Sequence, residues 1–330
     1  MRGLGHQLAA AAAAALVAAG AGMGLLLLPG PAQVGPVVLG VAEGDGFAQV
    51  ANELGRLGVV RSPLVLRLWA RLTGRDREVA WGDYVFQPPI TPLAVIDRLA
   101  RPPDPIGRIT IPEGLTVDET LALLTAHGRG PRDAYDRLLR DASFLAREGL
   151  PLPGAEGYLF PDTYVVPSTM SPERTLHELI SSFHRHFTPD LIARGRARGL
   201  TPHQVVTLAS LIEEEATLAD EQRLVSAVFH NRLRLGMRLQ SDPTVLYGRP
   251  TDDRTISRRD LETPTPYNTY VIPGLPPSPI ANPGEGALEA AVDPASSDAL
   301  YFVARGDGSH EFSSTLAAHN AAVRRFQREP

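Results

Sequence analysis

Three consecutive carboxylates, Glu213, Glu214 and Glu215, lie near the end of a stretch whose residue spacing predicts a helix. At about 100° per residue, Glu214 points away from the apolar side of this helix, while Glu213 and Glu215 flank that side on opposite edges. A carboxyl group at the edge of a buried face can be desolvated, and its pKa then rises toward neutrality. Such a group can act as a general acid, but the periodicity does not choose between Glu213 and Glu215.

The helix that carries these carboxylates has a clear start. Thr201 is a suitable N-cap, Pro202 fits the first turn, and Gln204 completes a capping box. Apolar residues at helical spacing then predict one buried face, made of Val205, Leu208, Ala209, Ile212, Ala216 and Ala219.

Composition sets the outer bounds on function. A chain of 330 residues with 43% hydrophobic and 21% charged residues is an ordinary globular protein, long enough for two domains. Its formal net charge of -5 gives no reason to expect a nucleic-acid partner. The absence of Cys excludes disulfides and thiol chemistry, and the nine scattered His residues show no paired spacing, so neither a metal nor a cofactor is predicted.

The composition of the N-terminal region predicts a membrane-spanning segment. Residues 8–28 are predominantly apolar, without a single charged side chain, and long enough to cross a bilayer. Arg2 precedes them, which favours a cytoplasmic N-terminus at residues 1–7. A cleaved signal peptide is the alternative, but the run is longer than a usual signal core and no small-x-small cleavage site follows. We therefore predict an uncleaved transmembrane anchor, single-pass in the cell membrane, with a linker at 29–37 and the remaining chain on the extracytoplasmic side.

The rest of the chain predicts an α+β fold in two parts. A small α+β subdomain spans residues 38–107, and a Pro-rich break at 101–105 separates it from a larger α+β domain at 108–330. In the larger domain, helices are predicted at 131–147, at 172–187 and from an N-cap at Asp220. A strand is predicted at 237–241, and a hairpin at 299–312 precedes a last helix through Phe326.

Two loops concentrate groups that could meet a ligand. Residues 155–164 hold three aromatic side chains, two carboxylates and a Pro. Residues 263–284 combine many Pro residues with amide and hydroxyl groups, a composition that suits the wall of a cleft.

The ordered motifs of the chain resemble those of the bacterial endolytic murein transglycosylases, the MltG or YceG-like family. The resemblance covers residues 46–326 and rests on Ile111-Pro112-Glu113-Gly114, Glu156-Gly157-Tyr158-Leu159-Phe160-Pro161-Asp162-Thr163-Tyr164, Ala209-Ser210-Leu211-Ile212-Glu213-Glu214-Glu215, Gln240-Ser241-Asp242-Pro243-Thr244, Tyr267-Asn268-Thr269-Tyr270, Gly274-Leu275-Pro276-Pro277, Ala281-Asn282-Pro283-Gly284 and His310-Glu311-Phe312.

The resemblance implies an activity and a catalytic residue. The family cleaves the β-1,4 bond between N-acetylmuramic acid (MurNAc) and N-acetylglucosamine (GlcNAc) in nascent peptidoglycan, leaving 1,6-anhydro-MurNAc ends. Its catalytic Glu falls on Glu213, which would act first as general acid and then as base. The resemblance also implies a membrane anchor and a LysM-like subdomain, and we expect glycan strands and peptidoglycan synthases as partners.

Further residues at family motifs are predicted to bind substrate. Gln240, Ser241, Asp242, Tyr267 and Asn268 could hold sugar hydroxyls and acetamides, although Asp242 could instead stabilise a turn. Tyr158 and Phe160 could stack on sugar rings or pack in the core. Glu215 is expected to support the site, and Glu214 to be solvated.

Two other functions remain open from the sequence. One is a hydrolase in which Glu213 is the acid and Asp242 or Glu215 is a second carboxylate. The other is a wall-binding scaffold without activity.

Overall fold

A computed structural model gives the structure, which describes residues 13, 17, 20–31, 35–77, 79–104, 107–151, 154–216, 218–249 and 255–327. The chain divides into two compact units, the first comprising Met1–Ile109 and Val165–Ser171, the second Thr110–Tyr164 and Pro172–Pro330. Helices and small two-stranded sheets make up these units. The predicted α+β class is confirmed.

The first unit is built on a two-stranded antiparallel sheet. Its elements in chain order are β1 (Val37–Val41), α1 (Phe47–Arg56), α2 (Pro63–Leu72), a 3₁₀ turn (Arg75–Arg77), β2 (Gly82–Phe86) and α3 (Pro92–Leu99). Val37 pairs with Phe86 and Val41 with Gly82. Because side chains alternate across a strand, Leu39 and Val41 share one face, and this face joins the core that α1, α2 and α3 complete.

The predicted anchor at residues 8–28 lies only partly within the described residues. Residues 1–12, 14–16 and 18–19 are not described, whereas residues 20–27 are helical. Within the described part of the chain, no helix is both long enough and apolar enough to span a membrane.

The second unit is mainly helical. A short two-stranded sheet is formed by β3 (Arg108–Thr110) and β4 (Thr163–Val165). The helices are α4 (Val117–Ala126), α5 (Arg132–Arg140), α6 (Ala142–Arg147), α7 (Pro172–His186), α8 (Pro189–Ala197), α9 (Pro202–Glu215), α10 (Ala219–Arg234), α11 (Pro243–Leu246), α12 (Arg258–Glu262), α13 (Glu285–Val292) and α14 (Leu316–Phe326). The hairpin of β5 (Tyr301–Ala304) and β6 (His310–Ser313) is antiparallel, as predicted.

The carboxylate-bearing helix α9 is the centre of the second unit. Its N-terminus has the predicted capping box of Thr201 and Gln204, with Pro202 in the first turn. Every residue from Val205 to Ile212 is buried, because α8, α10, α11 and α13 pack around it. The prediction of one apolar face was therefore too narrow, since the helix is enclosed on all sides until its last turn.

Three local predictions were wrong. Residues 237–241 form no strand, and the backbone N–H groups of Met237 and Gln240 bond to the carbonyls of Arg232 and Thr269. The helix predicted at 131–147 is two helices, because Asp141 is extended and its carboxylate accepts the N–H of Ser143. Helix α10 begins at Ala219, one residue before its predicted cap Asp220.

Candidate active site

Glu213 lies in the last turn of α9, where the helix leaves the protein interior, and its side chain is half-buried. Its Oε2 accepts the backbone N–H of Gly284 at 3.0 Å. Burial raises the pKa of Glu213 to about 7, the Gly284 hydrogen bond opposes this rise, and the nearby Glu113 and Glu214 carboxylates add to it. A carboxyl group with this pKa is present in both protonation states near neutral pH, as acid–base chemistry requires.

Gly284 belongs to a segment that runs along α9 and leads into α13. It is the N-cap residue of α13, so the Glu213 carboxylate lies at the positive end of that helix. Upstream, Ser210 fixes the same segment, because its hydroxyl accepts the N–H of Ile280 at 3.1 Å and donates to the carbonyl of Thr207 at 2.8 Å. Two polar groups on α9, one helical turn apart, therefore hold residues 280–284 in place.

Asn282 ties this segment to two others. Its side-chain Oδ1 accepts the N–H groups of Gly157 at 3.1 Å and Leu159 at 3.0 Å, and its Nδ2 donates to the carbonyl of Leu115 at 2.7 Å. Its backbone carbonyl accepts the N–H of Gly114 at 3.0 Å. The residue is fully buried. Asn282 was not predicted as a site residue; the available signal was an Asn within an apolar, Pro-rich run.

Glu113 is a second carboxylate that sequence reasoning did not assign to the site. It raises the pKa of Glu213, and its carboxylate lies against the α-carbon of Gly284, where an added Cβ would overlap it. The carboxylate of Glu214 lies beside Gly114. Glu214 is half-buried and not fully solvated as predicted.

Glu215 is held by the segment that follows α10. Its Oε1 accepts the hydroxyl of Ser241 at 2.7 Å, and Ser241 is fully buried. Burial raises the pKa of Glu215 to about 7, the Ser241 hydrogen bond lowers it, and the Asp242 carboxylate raises it. Asp242 in turn accepts the hydroxyl of Tyr270 at 2.6 Å. The structure thus brings Glu215, Ser241, Asp242 and Tyr270 together.

Gln240 has a left-handed backbone, with a φ of 50°. Its N–H donates to the carbonyl of Thr269 at 3.2 Å, and the next N–H, that of Ser241, donates to the Thr269 hydroxyl at 2.9 Å. A non-Gly residue in this conformation is uncommon and persists only where its surroundings enforce it. Thr269 supplies that constraint, so residues 240–242 are fixed beside the end of α9.

Tyr267 and Asn268 lie on the loop that contains Thr269. The hydroxyl of Tyr267 shares a hydrogen bond of 2.7 Å with Ser278, and its ring centre lies 4.6 Å from that of Tyr247. The Asn268 side chain is buried and organises the loop itself. Its Nδ2 contacts the carbonyls of Asp260, Leu261 and Thr263 at 3.0, 3.2 and 2.8 Å, and its Oδ1 accepts the N–H of Tyr270 at 3.0 Å.

The two predicted stacking residues are buried, Tyr158 at 6% and Phe160 at 5% exposure. The Tyr158 ring packs edge-on against Phe183 at 4.8 Å, and its hydroxyl contacts His203 Nδ1 at 2.8 Å. Phe160 stacks on His186 at 4.0 Å. These contacts are those of core aromatics, and sugar stacking by either residue stays a prediction.

Glu156 is a third carboxyl group with a raised pKa. It accepts the N–H of Val117 at 3.0 Å and the hydroxyl of Tyr247 at 3.1 Å. Burial raises its pKa to about 7 against these two hydrogen bonds. Val117 is the first residue of α4, and its N–H group has no partner within the helix. The Glu156 carboxylate, from a different segment, accepts that N–H group. Within the described residues, no group of three or more His, Asp or Glu side chains could hold a metal ion.

A desolvated carboxyl group at the end of a central helix, bonded to a backbone N–H, defines an acid–base site on an α+β fold. Over residues 39–325 the chain matches the YceG-like family, and it belongs to this family.

The chain is similar to proteins of known name and structure. It is 29% identical over 308 residues to the endolytic murein transglycosylase of Bacillus subtilis (strain 168), covering 88% of this chain and 84% of that protein. It is 28% identical over 300 residues to the endolytic murein transglycosylase of Streptococcus pneumoniae serotype 2 (strain D39 / NCTC 7466), covering 81% of this chain and 54% of that protein. The crystal structure of a yceG-like protein from Listeria monocytogenes is similar at a TM-score of 0.60 and 27% identity, covering 88% of this chain and 100% of that chain.

Proposed function

We propose that this chain is an endolytic lytic transglycosylase that cleaves the MurNAc-β-1,4-GlcNAc bond of nascent peptidoglycan and leaves 1,6-anhydro-MurNAc ends. The observation that carries the proposal is Glu213, a half-buried carboxyl group with a pKa of about 7 at the end of a central helix. The family and the names of the similar proteins support the reaction class.

The proposed reaction needs one carboxyl group. Protonated Glu213 donates its proton to the glycosidic oxygen as the bond from C1 of MurNAc to that oxygen breaks. The substrate's N-acetyl group supports the positive charge that develops. The ionised carboxylate then takes the proton of the 6-hydroxyl as O6 bonds to C1, so Glu213 ends protonated and no water is consumed. The nucleophile is already attached to the reacting sugar, which gives it a high effective concentration.

The surroundings of Glu213 support both halves of this cycle. Desolvation and the neighbouring carboxylates favour the acid form before cleavage. The Gly284 N–H and the N-terminus of α13 stabilise the carboxylate afterwards. Within the described residues, Oε1 of Glu213 has no hydrogen-bond partner, which leaves this oxygen available to substrate.

Substrate contacts are proposed for the segment beside α9. Gln240, Asp242 and Tyr267 carry polar groups that can hold sugar hydroxyls and acetamides. Ser241 and Glu215 are hydrogen-bonded to each other, and the Asn268 side chain is hydrogen-bonded within its own loop. We therefore propose that these three residues hold the neighbouring substrate-binding groups in place. Tyr158 and Phe160 belong to the 155–164 loop, and their buried side chains attach this loop to the core.

The proposal extends to the placement of the chain. Residues 8–28 form a single-pass anchor in the cell membrane, the remaining chain lies on the extracytoplasmic side, and peptidoglycan synthases are its partners. The first unit is a LysM-like subdomain; the order β1–α1–α2–β2 with antiparallel strands supports this assignment.

The test of the catalytic residue is a pair of variants on one helical turn. Glu213→Gln retains an oxygen for the Gly284 N–H but has no carboxylic proton, so turnover of purified glycan strands should fall by about 10²–10⁴-fold. Glu214→Gln is the matched control and should keep most of the activity, because desolvation, the largest cause of the raised pKa of Glu213, is unchanged and Glu214 is the smallest one. If Glu213→Gln kept activity while Glu215→Gln lost it, the catalytic assignment would pass to Glu215.

Folding of the Glu213→Gln variant can be checked by thermal unfolding at about pH 8. The folded-state pKa of Glu213 is raised from 4.5 to about 7. The native state therefore binds more protons than the unfolded state between these values, so stability falls as pH rises from 4.5 to about 7, and the full cost of ionising Glu213 is present above pH 7. A neutral amide avoids this cost, so the variant should melt no lower than the wild type.

A further inference from the structure

Helix α2 presents leucines on the face where a soluble helix normally carries charge. It packs against the core of the first unit through Leu66 and Ala70, which are fully buried. At about 100° per residue, Leu68 lies opposite this buried face, with Leu64 and Leu72 one turn to either side. These three leucines are here called the α2 stripe. Leu64 is 62% exposed, Leu68 54% and Leu72 81%. Charged or polar residues are expected at such positions.

The neighbouring helix α1 shows the ordinary pattern. It contributes Phe47, Val50, Ala51 and Leu54 to the same core. Its opposite face consists of Gln49, Asn52 and Arg56, all exposed. The α2 stripe is therefore a property of α2 and not of the whole unit.

Positive charge flanks the α2 stripe on one side. Arg67 and Arg71 are exposed. On a helical wheel with Leu64 at 0° and Leu68 at 40°, the two arginines lie at about 300° and 340°. Among the ion pairs of the described residues, none involves either of these two arginines. Exposed leucines bordered by arginines are the pattern of a helix that lies in a bilayer interface, where arginine attracts anionic headgroups.

The apolar N-terminal segment ends close to the start of α2. The carbonyl of Pro29 accepts the Nε of Arg61 at 2.8 Å, and Gly30 lies against the backbone carbonyls of Gly58 and Val59. Leu26, one turn earlier, is 3% exposed. The point where residues 8–28 end is thus fixed beside residues 58–61, which lead directly into α2.

We propose that α2 lies on the membrane surface, with Leu64, Leu68 and Leu72 at the boundary of the acyl chains and Arg67 and Arg71 at the headgroups of acidic phospholipids. An interfacial helix of this kind inserts its apolar face about 5–10 Å into that boundary. The proposal rests on the proposed anchor for its geometry and goes beyond it, because it gives the first unit a fixed face toward the bilayer.

The test measures the depth of two single labels in the full chain. Since the chain has no Cys, Leu68→Cys and Val38→Cys can each carry one fluorophore. Val38 is 50% exposed and lies on β1 facing away from Leu39, hence on the side of the sheet opposite the helices. The full chain is placed in lipid nanodiscs that contain phosphatidylglycerol and a doxyl-labelled lipid quencher.

The proposal expects the Leu68→Cys label to be quenched more strongly than the Val38→Cys label. Replacing phosphatidylglycerol by phosphatidylcholine, or adding Arg67→Gln with Arg71→Gln, should reduce the difference. Equal quenching of the two labels would overturn the proposal. Energy transfer between Leu68→Cys labels on two chains in detergent would also overturn it, because the α2 stripe would then be covered by a second copy.

A failure of the anchor gives a different result. If the chain did not insert into nanodiscs, the anchor would be wrong, and the same two labels would be read after adding the chain to phosphatidylglycerol vesicles from outside. Selective quenching of the Leu68→Cys label would still support the α2 stripe as a lipid-binding face. Its absence there would overturn this proposal as well.

Discussion

Glu213 and Glu215 lie on one helical turn and share a pKa of about 7, yet their hydrogen-bond partners differ. Glu215 accepts the hydroxyl of a fully buried serine, Ser241. Glu213 accepts a hydrogen bond through Oε2 alone, from the backbone N–H of Gly284 at the N-terminus of α13. Periodicity could not separate the two residues, and neither can their pKa values. The separation comes from the segments at 240–242 and 280–284, whose approach to α9 is a tertiary contact that no local pattern contains.

The pH dependence of cleavage follows from the raised pKa of Glu213. The acid form is required for the first step, and it declines above a pKa of about 7. We expect kcat/KM to fall above about pH 7, approaching tenfold per pH unit. Initial rates of glycan cleavage between about pH 5 and pH 9 measure this. A Glu215→Gln variant should keep the same alkaline limb, and a profile that stays flat to pH 9 would exclude Glu213 as the acid.

At the scale of elements, the helices were predicted best because their start signals are local. The capping box of Thr201 and Gln204 marks the start of α9, as predicted. The structure has the same kind of box, made of Thr116 and Glu119, at the start of α4. The hydrophobic pattern did not reveal that α9 is enclosed on all sides. That enclosure depends on helices α8, α10, α11 and α13 meeting around it.

The predicted strand at 237–241 failed for a similar reason. Alternation of apolar and polar residues is satisfied equally by an extended segment without a partner strand. Here the N–H of Gln240 bonds to Thr269, and Gln240 is left-handed, which no regular strand allows. The long-range contact with Thr269 decides the conformation.

Among the residues that connect different segments of the second unit, Asn282 should be the most sensitive to substitution. Asn282→Ala leaves the buried N–H groups of Gly157 and Leu159 without an acceptor, and an unsatisfied buried polar group costs about 1–3 kcal/mol. We expect a lower midpoint in urea unfolding and reduced turnover, because residues 157–159 and Leu115 would lose the side chain that connects them to the segment leading to Gly284. Asn320→Ala, at an exposed position in α14, is the control. Equal stability of the two variants would show that Asn282 does not hold these segments together.

At the scale of the whole molecule, the proposal concerns where the chain lies in the cell. The proposed anchor predicts that the full chain fractionates with membranes and that its residues after 29 are accessible from outside. Protease treatment of intact cells followed by fractionation checks both. Mature chains that begin near Ala32 in the soluble extracellular fraction would show a cleaved signal peptide instead.

The central claim is that one carboxyl group, Glu213, cleaves the glycan without water. An inverting hydrolase would need a second carboxylate at about 6.5–9.5 Å with a water between, and a retaining hydrolase a nucleophile at about 5–5.5 Å. Glu215 and Asp242, the two second carboxylates predicted from the sequence, accept hydrogen bonds from Ser241 and Tyr270.

Mass spectrometry of glycan strands digested by the purified chain in ¹⁸O-labelled water tests this claim most directly. We predict unlabelled products that end in 1,6-anhydro-MurNAc, each lighter by one water than the corresponding reducing end. Reducing ends that carry ¹⁸O would contradict the account and identify a hydrolase.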